Sequence, residues 1–581
     1  MPTLRQVTLR HAQHFEARLR EAESLYLKGG DTLSEALAQF DEISAHVRAT
    51  QTWADGQAED DEQAALVNVA YENAGPHLFD LRQHPHDRVQ MLEKNLSAAR
   101  RFNLHHCEVS LLNNLGRAHA DFGQTQTAIE LYQEALALSR STGNRSGEAH
   151  ALGNLGIAHD QLGDPHAAID FYQKALAILR ELGDARRQGI LLGNMGLAYA
   201  AAGNPSRAIE FYQAALAIAV DQGDLRGEQT DLINLGLAYA VLGETARAVE
   251  TYQQALVLAR QLHDRRAEAS ILGNLANAYE HLNQLDQVRG LHEEALAISK
   301  ETADTRHEAE SLGSLGNFYA ASSDSGRAIE YYEQALSIAR KVGDRRDEAK
   351  TLGNLASVYT DLGENQRAID VLTQRSKLTR ELGDQRAEGR TLGRLGNSYA
   401  DLRQTFRAIR SYKRAIFVSH KAGDREAEAQ ALGNLGIVYS GAGDLPQAIE
   451  YYEQALIIVR ESNDRACECT VLGNLGLAIA ASGDRQSAIE HFEQQLALAR
   501  TIKDARAEAT ALGNLGNETA ALGDFHKALE YYQQALISFR ELEDQQNNLA
   551  TLSNISFVYH QLGDFDQASH YARLSSDLEN K

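Results

Sequence analysis

The sequence predicts an all-α solenoid, and three observations support this prediction. Leucine recurs every 40 residues at twelve positions from Leu112 to Leu552. Two residues after each of these leucines, asparagine occurs at ten of the twelve positions. We call each such set of positions, 40 residues apart, a column. Each unit also carries two apolar patterns with the period of a helix. Because a single helix hairpin cannot bury both of its faces, units of this kind must stack on one another.

The unit between Asp184 and Asp224 shows how the elements follow one another. A first helix is predicted by Ile190, Leu191, Met195, Leu197, Ala198 and Tyr199, and a second by Ala208, Ile209, Phe211, Tyr212, Ala215, Leu216 and Ile218. Between them, Gly203-Asn204-Pro205 supplies a helix end, a capping side chain and a proline for the first turn of the next helix. The same punctuation recurs as Gly-Asp at 163–164, 183–184, 343–344, 383–384, 443–444 and 523–524.

Small and aromatic columns predict how the helices pack. Small residues in the columns of Gly156 and Ala168 allow the paired helices to approach closely, and two tyrosine columns fill the space between repeats. The glycines of the recurring Leu-Gly-Asn triplets, such as Gly153, lie in mid-helix. We therefore expect them to serve close helix packing rather than phosphate binding.

The pattern resembles the tetratricopeptide repeat (TPR), of which one copy here reads Met195-Gly196, Tyr199, Ala208, Tyr212 and Ala215, with Met in the Leu place. The usual unit has about 34 residues, so the 40-residue unit implies longer helices. Its Leu-Gly-Asn-rich form looks like the repeats of the animal spindle-orientation adaptor named for Leu-Gly-Asn and the TPR arms of bacterial STAND-type signalling ATPases. The resemblance covers about residues 104–577 and implies a right-handed superhelix of about twelve TPR hairpins.

The first hundred residues keep helical patterns but lose this regularity. The stretch 88–96 lies 40 residues before 128–136 and matches its pattern. We therefore expect an N-terminal helical segment at 1–61, a degenerate TPR-like unit at 62–103 and the twelve-repeat solenoid at 104–581. The N-terminal segment looks like the linker between ATPase and repeats in STAND proteins, although the phosphate-loop motif of an ATPase does not occur in the sequence.

Composition and motifs exclude several classes of function. With 80 acidic and 57 basic side chains, the net charge of −23 disfavours nucleic-acid binding along the whole chain, without forbidding a local basic patch. Three cysteines cannot form a disulfide framework, and no long apolar run indicates a membrane span, so we expect a cytoplasmic protein. No catalytic, metal-binding or dinucleotide motif occurs. Cys467 and Cys469 point to different sides of a helix, so we predict no enzyme, cofactor or metal.

The asparagine column is the first candidate site. In TPR proteins this position lies on the first helix and faces the concave groove, and the resemblance implies that its amides hydrogen-bond a peptide backbone. The candidates are Asn154, Asn194, Asn234, Asn274, Asn354, Asn434, Asn474 and Asn514. An alternative stays open, because asparagines of adjacent repeats could instead bond to one another.

A basic stretch is the second candidate site. Between 371 and 421, twelve basic side chains face four acidic ones, a balance of +8. Arg394 replaces a column asparagine, Lys350 and Arg390 occupy a column expected to face the groove, and Arg375 replaces a packing alanine. Clustered basic side chains suit a carboxylate or phosphate group. The alternative is a solvated stripe of basic residues that pairs with acidic neighbours.

These features favour a non-enzymatic protein-interaction scaffold that binds a peptide or a partner helix in the concave groove. Lys350, Arg390 and Arg394 would form a basic wall that anchors an acidic motif. One alternative is a ligand-sensing regulatory arm of a bacterial STAND-type signalling or defence system. Another is a structural protein that assembles with copies of itself through the solenoid ends, since the last helix, predicted over 564–580, has no capping helix after it.

Overall fold

The computed structural model describes residues 3–28, 32–57, 61–75, 78–79, 81 and 85–579. These residues form 28 α-helices and no β-strand, which confirms the predicted all-α solenoid class. The helices are α1 (Leu4–Lys28), α2 (Thr32–Asp55), α3 (Glu62–Ala74), α4 (Pro85–Arg101), α5 (His105–Asp121), α6 (Thr125–Thr142), α7 (Arg145–Gln161), α8 (Pro165–Leu182), α9 (Ala185–Ala201), α10 (Pro205–Gln222), α11 (Leu225–Val241), α12 (Thr245–Gln261), α13 (Arg265–His281), α14 (Leu285–Glu301), α15 (Thr305–Ala321), α16 (Ser325–Val342), α17 (Arg345–Asp361), α18 (Asn365–Glu381), α19 (Gln385–Asp401), α20 (Thr405–Ala422), α21 (Arg425–Gly441), α22 (Leu445–Glu461), α23 (Arg465–Ser482), α24 (Arg485–Ile502), α25 (Ala505–Ala521), α26 (Phe525–Glu541), α27 (Gln545–Gln561) and α28 (Phe565–Glu579).

The chain divides into two compact units, residues 1–315 and 316–581. In the first unit, α1, α2 and α3 share a core that includes Phe15, Leu19, Ile43 and Tyr71. Helix α3 packs on α1 and α2 and also contacts α4. The sequence-based division into 1–61, 62–103 and 104–581 stays a prediction.

From α5 onward, successive helices pair as hairpins. We call the odd-numbered helices from α5 to α27 the A helices and the even-numbered helices from α6 to α28 the B helices. The turns between them follow the predicted punctuation: Gly163 has φ +77° and the Asp164 carboxylate accepts a hydrogen bond from Ala167 N. Glycine adopts this left-handed conformation without a Cβ clash, and the capping carboxylate satisfies an N–H of the first turn.

A glycine on the A helix faces an aromatic ring on the B helix of the same hairpin. A Cβ on Gly196 would lie 2.5 Å from Cε1 of the buried Tyr212, so the ring needs the bare backbone. Where the facing side chain is smaller than a tyrosine or phenylalanine, the glycine is replaced: Ala276 accompanies His292, and Ala356 accompanies Leu372. The predicted close packing of the Gly156 column is therefore confirmed.

The glycines of the Leu-Gly-Asn triplets behave differently. A Cβ on Gly273, Gly393 or Gly433 would meet nothing within 4 Å. The expectation that these glycines serve close helix packing is therefore wrong at these positions. They leave bare backbone exposed on the A helices, and in two other repeats a long side chain crosses that backbone, Arg375 over Gly353 and Gln495 over Gly473.

Buried glutamates join several of the repeats to their neighbours. The Glu268 carboxylate, whose side chain is 4% exposed, accepts from Arg260 Nε of the preceding B helix at 2.8 Å and from Arg265 Nη1 at 2.6 Å. Arg265 Nη2 also reaches Glu301 at 2.7 Å. The same pairing with two arginines recurs at Glu148, Glu348 and Glu468, and at Glu428 a histidine, His420, takes the place of the first arginine. We call this series the Arg–Glu ladder.

Candidate binding clefts

The asparagine column divides into groups. Asn154 Nδ2 donates to Asn113 Oδ1 at 3.0 Å, and Asn354 Nδ2 donates to Asn317 Oδ1, also at 3.0 Å. A third member of this group bonds in the same way, Asn434 Nδ2 to an asparagine Oδ1 of the preceding repeat, at 2.9 Å. At these three positions the amides bridge adjacent repeats. Each bond uses one of the two N–H groups of the donating side-chain amide. The other N–H and the carbonyl oxygen of that amide take no part in the bond.

The other five candidates are half-buried and have no side-chain hydrogen bond within the part of the chain that the structure describes. Asn194 and Asn234 line a cleft of about 320 Å³ between α9, α10 and α11. Asn274, Asn474 and Asn514 lie at the equivalent places on their own A helices. The structure therefore places all eight on A helices, but brings only Asn194 and Asn234 together at one cleft.

A second cleft, of about 550 Å³, lies between α17, α18 and α19. Four basic side chains line it: Arg346 and Lys350 from α17, Arg375 from α18 and Arg394 from α19. Asp384 is the one acidic residue among its described lining residues, and its Oδ1 accepts the capping hydrogen bond of Ala387 N at 2.9 Å. We call this the basic cleft.

Neutral oxygens accept hydrogen bonds from the two half-buried guanidinium groups of the basic cleft. Arg375 Nε donates to Ala349 O at 3.1 Å, and Arg394 donates to Gly353 O at 3.2 Å and to Ser357 Oγ at 2.7 Å. Neither arginine has an ion pair within the described residues. Burial lowers the pKa of both, and the nearby charge of Arg394 lowers the pKa of Arg375 further. The charge of Asp384 near Arg375 and the charge of Asp361 near Arg394 offset this lowering of the pKa only in part.

Arg390 does not join this cleft. Its Nε lies 2.8 Å from Asp424 Oδ2, and its Nη2 lies 3.5 Å from Glu426 Oε2. The hydrogen bond from Arg390 holds the pKa of Asp424 below its usual value. Of the three basic residues predicted as one wall, the structure brings together Lys350 and Arg394. Arg346 was missed because arginine is frequent in its column, so that nothing marks it in the sequence.

The first of the two clefts has the opposite character. It is lined by Ile190, Leu197 and Ile218, and Asp231 is buried in its wall with 7% of its surface exposed. Burial, with a smaller contribution from the charge of Asp224, raises the pKa of Asp231 to about 7. We call this the acidic cleft. Sequence reasoning missed it, although the one visible signal was present: an aspartate in a column of apolar, Ser and Thr residues.

Helix hairpins of constant length, stacked through recurring contacts, place the chain among the α-solenoid repeat proteins. The model of the Tetratricopeptide repeat family matches residues 107–181, 148–219, 229–301, 307–381, 388–461, 467–536 and 519–578. The chain therefore belongs to the TPR family, as its sequence pattern indicated.

The chain is also similar to several solved structures. BtubC (BKLC) from P. vanneervenii is 19% identical and aligns over 38% of this chain and 93% of its own, with a TM-score of 0.36. Aspartyl phosphate phosphatase F from Bacillus subtilis is 16% identical over 60% and 94%, with a TM-score of 0.41. The apo quorum sensor NprR from B. thuringiensis is 16% identical over 59% and 99%, with a TM-score of 0.40. No curated protein matches the chain.

The described residues carry neither a membrane-spanning helix nor a cluster of metal ligands. No described helix combines enough length and apolar character to span a bilayer. No group of three or more His, Cys, Asp or Glu side chains comes close enough together there to hold a metal ion.

Proposed function

We propose that this protein is a non-enzymatic interaction scaffold that binds an acidic peptide or partner helix along its A helices. The basic cleft is the observation that carries this proposal. Four cationic side chains surround one space, and within the described residues the half-buried Arg375 and Arg394 have only neutral oxygens as hydrogen-bond partners. A buried charge without a counter-ion destabilises the free protein, and a carboxylate that enters the cleft removes that penalty.

The donors of the cleft suit a peptide carboxylate. Arg375 uses its Nε on Ala349 O, so its outer nitrogens can form a two-point contact with a carboxylate. Asn354 lines the same space and has one N–H and its carbonyl oxygen outside the bond to Asn317. An acidic side chain would bind the arginines while the peptide backbone bonds to the amide. We propose that the remaining asparagines of the column continue this backbone track.

The proposal is tested by fluorescence anisotropy with a labelled peptide that carries Asp-Glu and a twin that carries Asn-Gln. We expect the wild type to bind the acidic peptide at least about tenfold more tightly, about 1.4 kcal/mol. In the double variant Arg375→Ala/Arg394→Asn the preference should vanish. Both substitutions restore the commonest residue of their columns, so the fold should persist.

Arg390→Gln is the matched control, because it removes a positive charge that lies outside the cleft; glutamine already occupies this column at Gln430. It should keep the preference for the acidic peptide. Equal binding of both peptides to the wild type, or an equal loss in Arg390→Gln, contradicts the proposal.

A ligand-sensing regulatory arm of a bacterial STAND-type system is the second candidate function. The Leu-Gly-Asn-rich 40-residue unit supports this kinship, and the acidic cleft is of a size for a small ligand. In this role, occupancy of the cleft would change the curvature of the repeats. Small-angle scattering with and without a saturating peptide that carries a lysine should then show a changed radius of gyration. An unchanged radius of gyration contradicts this second candidate function.

Self-assembly through the solenoid ends is a third candidate, supported by the exposed rings of Phe557 and Phe565 on the last hairpin. Apolar rings exposed at an end can be covered by a second copy. Sedimentation equilibrium should show a mass that rises with concentration, and Phe565→Ser should lower it. A constant monomer mass contradicts assembly.

A further inference from the structure

The acidic cleft is built around an exposed stretch of helix backbone. Helix α9 contributes Gly189 and Gly193, and α11 contributes Asp231 from the opposite side. A Cβ on Gly193 would lie 3.2 Å from Asp231 Oδ1. The carboxylate therefore extends from α11 to α9 and occupies the floor of the space between them.

Asp231 stands alone in its column. The eleven equivalent residues are Leu, Ile, Val, Ala, Ser or Thr. At two of the three threonines in the column, the hydroxyl donates to the carbonyl four residues earlier: Thr391 to Ala387 O at 2.6 Å and Thr551 to Asn547 O at 2.7 Å. Once it is ionised, the Asp231 carboxylate cannot donate and so cannot satisfy itself in this way.

No protein group takes the role of a partner. Within the described residues no donor lies within hydrogen-bond distance of the Asp231 carboxylate. The charged or titratable groups in the lining are Arg186 from α9, Asp224 and Arg226 from α11, and Tyr26 from α1; α10 contributes none. Asp224 Oδ1 accepts the capping bond from Gly227 N at 3.0 Å, and neither arginine forms an ion pair with Asp231.

The Arg–Glu ladder is also interrupted here. Val220 occupies the arginine column at the end of α10, and Gln188 occupies the glutamate column of α9. Gln188 Nε2 donates instead to the backbone oxygen of Leu179 at 3.0 Å. The repeats that form the acidic cleft therefore lack the ion pairs that surround Glu268 in the following repeat.

We propose that the acidic cleft binds the cationic end of a lysine or arginine side chain of a peptide, with Asp231 as the counter-ion. The methylene groups of that side chain would pack on Ile190, Leu197 and Ile218. The cleft volume of about 320 Å³ admits one long side chain and not a folded partner.

This inference does not depend on the basic cleft, since the two clefts lie in different units and share no lining residue. Three labelled peptides of the same alanine sequence test it by fluorescence anisotropy, with lysine, arginine or norleucine at the centre. Norleucine keeps the aliphatic chain and lacks the charge. On the wild type, the lysine or arginine peptide should bind at least tenfold more tightly than the norleucine peptide.

On Asp231→Asn, which keeps the shape and removes the charge, this preference should fall below twofold. Asp231→Thr introduces a residue that other repeats already have at this position, and it should lose the preference in the same way. Agreement between the two variants shows that the loss does not come from misfolding of one of them. The double variant Arg375→Ala/Arg394→Asn should keep the full lysine preference, so that failure of the basic cleft and failure of this proposal remain distinguishable.

Three outcomes overturn the proposal. The first is equal binding of the three peptides to the wild type. The second is an undiminished preference in Asp231→Asn. The third concerns the source of the cation: if free n-butylammonium chloride binds the wild type as tightly as the lysine peptide does, the cleft is a site for small amines and not for a peptide.

Discussion

The basic and acidic clefts use the same architecture and differ in how their charges are satisfied. In each, a side chain that is foreign to its column crosses a bare glycine on an A helix: Arg375 crosses Gly353, and Asp231 approaches Gly193. Arg375 finds a backbone oxygen at 3.1 Å, whereas Asp231 finds no donor in the described part of the chain. The repeat can therefore accept a single charged residue without altering its helices, and such exceptions give each cleft its chemistry.

The ion pairs between the repeats around the two clefts differ as well. Beside the basic cleft, Glu348 accepts from Arg340 Nε at 2.9 Å and from Arg345 Nη1 at 3.1 Å. Beside the acidic cleft, Gln188 replaces this glutamate and Val220 replaces the arginine. We infer that the basic cleft is the better-stabilised of the two, because its neighbouring repeats are joined by charge-assisted hydrogen bonds.

The largest expected effect is the pH dependence of the acidic cleft. Burial raises the pKa of Asp231 from 3.8 to about 7, so between these values the folded state holds a proton that the unfolded state releases. The free energy of unfolding should therefore fall as the pH rises from about 4 to about 7, by on the order of 3 kcal/mol. Urea unfolding of the wild type and Asp231→Asn at pH 5 and pH 8 measures this.

At pH 5 the variant should already be the more stable protein, because the unfolded wild-type carboxyl ionises above pH 3.8 whereas the folded one keeps its proton. At pH 8 its advantage should be larger by about 2–3 kcal/mol, because the buried carboxylate is then ionised in the folded state as well. A difference between the two proteins that is the same at both pH values would contradict the account of Asp231 as a buried group without a partner.

The next effect is expected from the ladder beside the basic cleft. Glu348→Gln removes the charge that pairs with Arg340 and Arg345 and should destabilise the protein by about 2 kcal/mol. Glu364→Gln is the matched control in the same unit, because Glu364 pairs with Arg367 at an exposed position. It should change stability by less than about 0.5 kcal/mol. Similar denaturant midpoints for both variants would show that the ladder does not stabilise the stack.

Most of the fold follows from the sequence because its determinants are local and repeated. The spacing of Leu112 to Leu552 shows the unit, and pairs such as Gly163-Asp164 show where helices end and begin. The Arg–Glu ladder was present as Arg260 and Glu268 in their own columns. It was overlooked because charged residues in a helical pattern are ordinarily assigned to a solvated face.

The candidate site was less accessible to such reasoning, because it depends on distances between repeats. Columns place Lys350, Arg390 and Arg394 on A helices, but they do not show that Arg390 turns to Asp424 while Arg346 turns to the basic cleft. Nor do they show that glycines such as Gly393 face open space. Only the packing of successive hairpins decides which exceptional side chains share one cleft.

The smallest effect separates a structural from a binding role for Arg375. Arg375→Ala restores the column residue and removes a half-buried guanidinium that Arg394 repels, at the loss of one hydrogen bond to Ala349 O. We expect stability to rise by no more than about 1 kcal/mol. In the background of Arg394→Asn the gain should shrink, because the repulsion is already gone, and a double-mutant cycle measures this coupling.

Gln495→Ala provides the control for this cycle, since Gln495 lies over Gly473 as Arg375 lies over Gly353 but carries no charge. Its effect on stability should be the same with Arg394 or with Asn at that position. If Arg375→Ala instead destabilised the protein by more than about 1 kcal/mol, Arg375 would be part of the packing between repeats. Arg375 would then serve packing, as the other residues of its column do. Of the two clefts, only the acidic one would hold a charge that the fold leaves without a partner within the described residues, that of Asp231.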